Sequence, residues 1–349
     1  MALDNYLQRL WYGKRAQLVS LFLVPLSWLF GTVVALRRAA YRSRLLRSHR
    51  VARPVIVVGN VTVGGTGKTP FTIWLAELLQ ARGLQVGIIL RGYRGRSVHW
   101  PRHVTADMPW AEVGDEAVLL ATRTSAIVIA GPDRVKDAQD AIVLGAQIVL
   151  SDDGLQHYRL HRDAEILVVD AQRGIGNGRL LPAGPLREPI ARLRSVDLQV
   201  VTSRSESAMA LPATGAGSIV ASARLSSAQA IVGGEVRSLA SFQGTLVHAV
   251  AAIGNPASFF EGLRDCGLDI QEHAYSDHAV LTREHIAFGD DAPVLMTEKD
   301  AVKCTAIADE HHWVVPLHLD LSAEHASVVA QLLDRVLAQD AQNAQEPRL

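Results

Sequence analysis

From Arg53 onward, short unbroken apolar runs alternate with longer stretches in which apolar residues recur every three or four positions. The runs "PVIVVGN", "VGIIL", "AIVIA", "QIVLSDD" and "EILVVD" are too short for helices and carry no polar face, so they predict strands buried on both sides. Between them, "TPFTIWLAELLQARG" and the segments Asp115–Arg123 and Asp133–Leu144 carry helical spacing. Strand and helix in strict alternation predict a parallel, doubly wound sheet. A Gly- and Pro-rich loop, "RGIGNGRLLPAGPLREP", leads to a further strand, "DLQVV". Residues 203–245 then break into short β pieces, with a hairpin expected in "AIVGGEVRSL" around Gly233-Gly234. A second alternating run begins near Leu246 with "LVHAVAAIG", "DIQEHAY", "PVLMTEKD" and "WVVPLHL", and closes with a helix from Ala323. The expected organisation is a core at 51–202, a β-rich connection at 203–245, a second, smaller α/β lobe at 246–340 and a disordered tail at 341–349.

The first 50 residues follow a different pattern. Between Arg15 and Arg37 lie 21 residues without a charge, apolar all round rather than striped. About 20 residues at ~1.5 Å rise cross a bilayer core, so the run has the length of a span, although Pro25 and Gly31 interrupt it. A membrane-associated N-terminal helix is expected, either crossing the bilayer or lying in one leaflet. The run is too long for the apolar part of a signal peptide and lacks its cleavage site. The chain as a whole carries 35 basic and 35 acidic residues, but residues 1–50 hold nine Lys/Arg against Asp4 alone. The basic cluster from Arg37 to Arg50, next to the apolar run, is expected to hold anionic lipid headgroups rather than nucleic acid. It also puts the following domain on the cytoplasmic side. The 48% apolar and 20% charged composition suits a globular body. Two cysteines, Cys266 and Cys304, form no C-x-x-C pair and are expected as free thiols.

The strongest chemical signal is "VGGTGKTP", residues 63–70, between a buried strand and a helix. Its end matches the phosphate-binding pattern G-x-x-x-x-G-K-[ST], but Thr62 stands where the first glycine belongs. Gly64 and Gly65 supply the missing freedom from inside the loop. In such a loop the backbone N–H groups of Gly64, Gly65, Thr66 and Gly67 turn toward phosphates, Lys68 reaches the β/γ-phosphates and Thr69 ligates Mg²⁺. A second part agrees, because the strand "QIVLS" ends in Asp152-Asp153, the acids expected to complete the Mg²⁺ shell. The guanine-reading N/T-K-x-D motif is not matched by "TEKD", where Lys299 and Asp300 are adjacent, and that segment reads as a helix cap with a charge pair. ATP is therefore the expected nucleotide. Arg91 and Tyr93 stand at the carboxyl end of a strand, where ligands bind in open α/β sheets, as a phosphate contact and a sugar-stacking face. Arg187 and Glu188 in the Pro/Gly-rich loop are further substrate candidates.

In the order "VGGTGKTP", "RGYRG", "VGDEA", "GPDR", "SDDGLQH", "GNGRLLPAGPLREP", "YSDH" and "TEKDAVK", the chain resembles the tetraacyldisaccharide 4′-kinase (lipid A 4′-kinase) family. The resemblance runs to about residue 305; Ala117 departs from it, where proline is more usual, without touching the acids. It implies an enzyme of the bacterial inner membrane, cytoplasmic face, that phosphorylates the 4′-hydroxyl of a tetraacylated glucosamine disaccharide 1-phosphate. It further implies Asp115 as the base, paired with and tuned by His278. With Glu116, Asp152, Asp153 and Gln156 expected to order Mg²⁺ and the phosphates, and Arg134 to stabilise γ-phosphate charge, the catalytic set is Asp115, His278, Lys68 and Arg134. His157 reads as structural. Two other functions fit parts of the pattern: a membrane-targeted P-loop GTPase or assembly ATPase, and a kinase acting on a soluble sugar or nucleoside. No feature sets an oligomeric state.

Overall fold

The computed structural model describes residues 10–13, 17–204 and 217–345. Its first sheet has nine strands in the order β15-β8-β7-β6-β1-β5-β2-β4-β3. The inner strands are β1 (Val55–Gly59), β2 (Val86–Leu90), β4 (Ile127–Ala130), β5 (Ile148–Asp152), β6 (Ala164–Asp170), β7 (Leu198–Ser203) and β8 (Gly217–Arg224). All pair in parallel; only the edges, β3 (Arg102–Val104) and β15 (His318–Asp320), run antiparallel. Successive residues of β1 feed opposite faces. Ile56 and Val58 enter one core, and Val55 and Val57 the other. The first core is closed by helices that include α3 (Lys68–Ala81) and α5 (Asp115–Arg123), the second by helices such as α6 (Arg134–Val143). Both faces are covered, so these strands are apolar throughout.

The second sheet has six strands, β10-β9-β14-β13-β11-β12. Its parallel part comprises β11 (Leu246–Ala251), β12 (Asp269–Ala274), β13 (Val294–Thr297) and β14 (His312–Val315), with the hairpin β9 (Ser227–Ala230) and β10 (Val236–Ser238) at one side. The expected turn at Gly233-Gly234 sits in left-handed conformation at both glycines.

Three placements differ from the sequence expectation. The segment "WVVPLHL" is two strands on two sheets, β14 and β15, broken around Pro316, whose missing N–H cannot continue a ladder. β8, expected within the connection, belongs to the first sheet; the chain changes sheets between Arg224 and Ser227. The closing helix α10 (Ala323–Gln345) packs on the first sheet, burying Val329, Leu332, Leu333 and Val336 with Leu198, Ile219 and Leu319. Residues 341–345, expected disordered, are its last turn; residues 346–349 lie outside the described residues. The chain thus returns to its first lobe to cover sheet surface that β7 and β8 would otherwise expose.

The apolar N-terminal run forms α1 (Gln17–Phe22) and α2 (Val24–Arg42), interrupted at Leu23 ahead of Pro25. The start of the expected segment, residues 1–9 and 14–16, lies outside the described residues. Among the described residues no helix is long and apolar enough to cross a membrane. α2 is tied to the Gly/Pro-rich loop through Ser27, whose hydroxyl donates to Leu180 O at 2.8 Å and accepts from Ala183 N at 3.0 Å. Gly31 faces Leu180 so closely that a Cβ there would come within 2.8 Å of its Cδ1. The opposite side is bare: Leu29 is 63% exposed and Leu36 65%.

Candidate active site

β1 delivers the chain into the loop 60–67 and α3 takes it up. Gly67 caps α3 at φ 79°, a left-handed conformation that glycine adopts without strain, and a Cβ there would press on Thr202 at 3.0 Å. The loop is held from both flanks. Asn60 Nδ2 donates to Thr66 Oγ1 at 3.0 Å, and Thr202 Oγ1 donates to the Thr66 carbonyl at 3.1 Å. Neither residue was identified from sequence, because no motif marks a side chain that merely splints a loop.

Directly beside the loop, the two aspartates at the end of β5 divide their work. Asp152 is buried and accepts from Thr69 Oγ1 at 3.3 Å and Thr72 Oγ1 at 3.2 Å. Burial, with Glu116 nearby, raises its carboxyl to about 6 despite Lys68. Asp153, at φ 51°, turns the other way. It meets Lys68 Nζ at 3.7 Å and Arg187 at 3.0 Å. Burial works against its charge, but Lys68 and Arg187 prevail and hold the carboxyl well below the usual range. Of the four expected metal ligands, Thr69 and Asp152 therefore meet; Asp153 is taken by cations, and Glu116 Oε1 accepts from Lys299 Nζ at 3.1 Å. Among the described residues no group of three or more His, Cys, Asp or Glu side chains converges on a metal position. A hydroxyl and one carboxylate, with its charge disfavoured until a cation arrives, fit a Mg²⁺ that takes its remaining oxygens from phosphates and water.

The loop opens into a cleft of about 1500 Å³ that runs between the two lobes and reaches α2. Lys68, Arg91, Tyr93, Arg134, Gln156 and Arg187 all line it, and so do Phe30, Val33 and Arg37 from α2. Arg134 is buried, donating to Gly131 O at 3.0 Å beside Asp137, and its Nε has no partner. Gln156 donates to Asn60 O at 3.1 Å and Glu188 Oε1 at 3.0 Å. His157 also lines the cleft, and burial together with Arg134, Arg91 and Arg37 lowers it to about 4. This corner is electropositive, a feature that the reading of His157 as structural missed.

Glu188 does not line the cleft, contrary to its expected role as a substrate contact. It is 1% exposed and accepts from Tyr158 Oη at 2.5 Å and Gln156, with Arg192 Nε at 3.2 Å. A carboxylate so enclosed is a strut that orients Gln156.

Across the cleft, Asp115 and His278 come together from different lobes. Asp115 opens α5 after Gly114, and His278 lies in the turn between β12 and the short helix α8 (Arg283–Ile286). His278 Nδ1 and Asp115 Oδ2 are 2.9 Å apart. His278 occupies φ 59°, rare for a residue with a Cβ, and is held there by its N–H to Ala252 O at 3.1 Å and by Arg94 on its own carbonyl at 2.8 Å. Tyr93 lies against the imidazole, with ring centroids 5.2 Å apart. Asp115 is 4% exposed, and its Oδ1 accepts from Glu116 N at 2.9 Å. Burial resists its charge, yet the bond from His278 and the proximity of Lys299 keep its carboxyl below the usual range. An acid lowered in this way and engaged on both oxygens is a poor base. Of the pair, His278 is the member that lines the cleft.

Lys299 lies beside the pair. Its ammonium is 3.1 Å from His278 Nε2, 3.1 Å from Glu116 and 3.9 Å from Asp277. Burial opposes its charge, but Glu116, Asp115 and Asp277 raise its affinity for the proton. Read from sequence as part of a cap and charge pair, it lies at the start of α9 (Glu298–Cys304), where Thr297 is the cap. The two lobes are further joined by Arg123 of α5 and Glu298 of α9, the latter also accepting from Leu317 N at 3.0 Å.

Comparison with known proteins agrees with this geometry. The model of the family described as tetraacyldisaccharide-1-P 4′-kinase matches residues 19–337. The chain is 45% identical over 334 residues to a tetraacyldisaccharide 4′-kinase of Nitrosococcus oceani, covering 95% of each. It is 43% identical over 339 residues to that of Methylobacillus flagellatus, covering 97% of this chain and 98% of the relative. The crystal structure of LpxK from Aquifex aeolicus in complex with ATP superposes with a TM-score of 0.78 at 28% identity, covering 91% of this chain and 99% of that one. By the extent of these matches, and by a phosphate loop facing an acid–histidine pair across one cleft, the chain belongs to the tetraacyldisaccharide 4′-kinase family.

Proposed function

We propose that this protein transfers the γ-phosphoryl group of ATP to the 4′-hydroxyl of a tetraacylated glucosamine disaccharide 1-phosphate, in lipid A biosynthesis at the cytoplasmic face of the bacterial inner membrane. The observation that carries the reading is the Asp115–His278 pair, 2.9 Å apart, whose histidine lines the same cleft as Lys68. Phosphoryl transfer asks for little covalent help; it needs the phosphates held, their charge offset and the attacking hydroxyl relieved of its proton. The loop N–H groups from Gly64 to Gly67 and Lys68 grip the phosphates. Thr69 and Asp152 would hold Mg²⁺, which when bound offsets phosphate charge. Arg134 and Arg187 add positive charge along the same wall. We assign the proton to His278 Nε2, with Asp115 orienting the ring and stabilising the imidazolium that forms. The O4′–P bond forms as the bond from phosphorus to the ADP oxygen breaks, and His278 then releases its proton to solvent.

Arg91 and the neighbouring Arg37 suit the 1-phosphate, and Tyr93 a sugar face. Phe30 and Val33 continue the cleft in apolar form onto α2, whose bare outer side and neighbouring arginines suit a bilayer rich in anionic lipid. A lipid acceptor would then reach the site without leaving the membrane. The test is to incubate the full chain with ATP labelled at the γ-phosphate and a bacterial lipid extract. Label in a monophosphorylated disaccharide lipid that becomes bisphosphorylated is expected; label only in inorganic phosphate, at the same rate without lipid, would make the protein an ATPase instead.

A further inference from the structure

Lys299 is second in helix α9, where the dipole repels a cation, and its side chain is only 17% exposed. An ion pair at the surface would avoid both penalties. Its placement serves something else, and its contacts identify what. An ammonium has three protons and no lone pair. One proton goes to Glu116 Oε1 and one to His278 Nε2, each at 3.1 Å, with Asp277 Oδ1 at 3.9 Å beyond. Facing a donor that can only donate, Nε2 must accept, so it carries no proton, and the ring's one N–H is the one that Nδ1 gives to Asp115.

The groups around the imidazole are Asp115 on Nδ1, Asp277 at 3.7 Å from Nε2, Lys299, the Tyr93 ring and, on its carbonyl, Arg94. Without Lys299, the ring would face only carboxylates at its two nitrogens, Asp115 at Nδ1 and Asp277 at Nε2, and a carboxylate can only accept from a ring N–H. A doubly protonated ring cannot accept the acceptor hydroxyl's proton. We propose that Lys299 is a positioning residue for phosphoryl transfer: it occupies the Nε2 lone pair of His278 in the resting enzyme, keeps a proton off it, and yields that place to the incoming hydroxyl. The four-carbon stem lets the ammonium swing aside while it keeps Glu116 and Asp277 as partners. This inference rests on the assignment of His278 as the proton acceptor.

The test reads the imidazole directly. In the full chain labelled with ¹⁵N-histidine, without ligand at neutral pH, the signal missing from His278→Gln identifies this ring. The wild type should show a bare Nε2 and a protonated Nδ1; Lys299→Met should show Nε2 protonated. In kinetics, Lys299→Met should lower kcat about 10- to 100-fold, the range of one hydrogen bond to a charged group, with KM for ATP within about twofold. Raising the pH should restore part of that loss, and Lys299→Arg should keep most of the rate. A wild-type ring protonated at Nε2 overturns the proposal without any variant, so it stays testable even if Lys299→Met fails to fold. Unchanged signals and kcat in Lys299→Met overturn it as well. If instead His278→Gln keeps its kcat, the proton-acceptor assignment fails first; an inactive His278→Gln beside an unaffected Lys299→Met removes the role of Lys299 alone.

Discussion

The two walls of the cleft are built in different ways. The phosphate wall comes from one sheet: β1, its loop, α3 and the end of the adjacent β5 lie within one lobe and are fixed by hydrogen bonds such as Thr202 to Thr66. The wall proposed above for proton transfer exists only where two lobes meet, with Asp115 from one and His278 from the other, 163 positions apart in the chain. A grip that is complete in one lobe is ready before the substrate arrives. A base assembled from two lobes depends on how they are joined, so the two walls should fail in separable ways.

The largest loss is expected on the two-lobe wall. His278→Ala should lower kcat by about 10²–10⁴-fold, the range for losing a general base, with little change in KM for ATP. Asp115→Ala should fall in the same direction, and the double variant should be little worse than the poorer single one, because the pair acts as a unit. A full kinetic cycle, with circular dichroism to confirm folding, checks this; strictly multiplicative losses would mean that the residues act independently. On the one-lobe wall, Lys68→Ala should cost about 10²–10³-fold through loss of a charge on the transferring group, and should raise KM for ATP as well. Asp153 keeps Arg187 as a partner, so the fold should stand. If both variants changed kcat and KM in the same proportions, the contrast between the walls would be lost.

The same contrast governs what could be read from the chain. The phosphate loop, Thr69, Asp152 and the alternating strands are local: each is a short stretch whose residues act on their own neighbours, and a pattern of spacing carries them. The pairing of Asp115 with His278 came from family resemblance, since nothing in the spacing brings residues 163 apart together. The sequence expectation makes Asp115 the base; the assignment to His278 proposed above rests instead on His278, Lys299 and the Glu116 N–H around that carboxylate, neighbours that leave no mark in the residue's identity. Glu188 was misplaced for the same reason: an acid next to an arginine in a polar loop gives no sign that Tyr158 and Arg192 enclose it. Lys299 was passed over because a cap followed by charges is the commonest use of such residues at a helix start. The return of β15 and α10 to the first sheet follows from packing that only the assembled fold defines.

A smaller effect tests the joint between the lobes. Arg123 and Glu298 clasp α5 to α9 away from the reacting atoms. Arg123→Ala should leave KM for ATP unchanged and lower kcat modestly, on the order of 1 kcal/mol or up to about tenfold, by loosening the placement of His278 against Asp115. Charge reversal at both ends, Arg123→Glu with Glu298→Arg, should recover part of the rate, although Glu298 also holds Leu317 N. A rise in KM for ATP with kcat intact would show that the clasp serves the phosphate wall, and the two walls would not be separate in function.

The smallest effect lies in stability, within the phosphate wall itself. Asp152 is a carboxylate whose charge is unwelcome in the fold: burial and Glu116 raise it to about 6, above the ordinary value of 3.8. A folded-state value raised in this way contributes stability that is present in full below the unfolded value and is lost as pH rises through about 6. At pH 8 the ionised Asp152 therefore costs roughly 2–3 kcal/mol, taking about 1.4 kcal/mol for each pH unit. An asparagine in its place would keep the shape and one acceptor for Thr69 or Thr72 without the charge. Asp152→Asn should then melt a few degrees above the wild type at pH 8 in a metal-free buffer, with the gap closing as the pH falls toward 5. The gain should come with loss of activity, because the charge that weakens the fold is the one a cation needs. Added Mg²⁺ and ATP should raise the wild-type melting point more than that of the variant. A variant less stable than the wild type at pH 8 would mean that Asp152 is already satisfied in the empty site, and that its burial serves packing rather than a waiting cation.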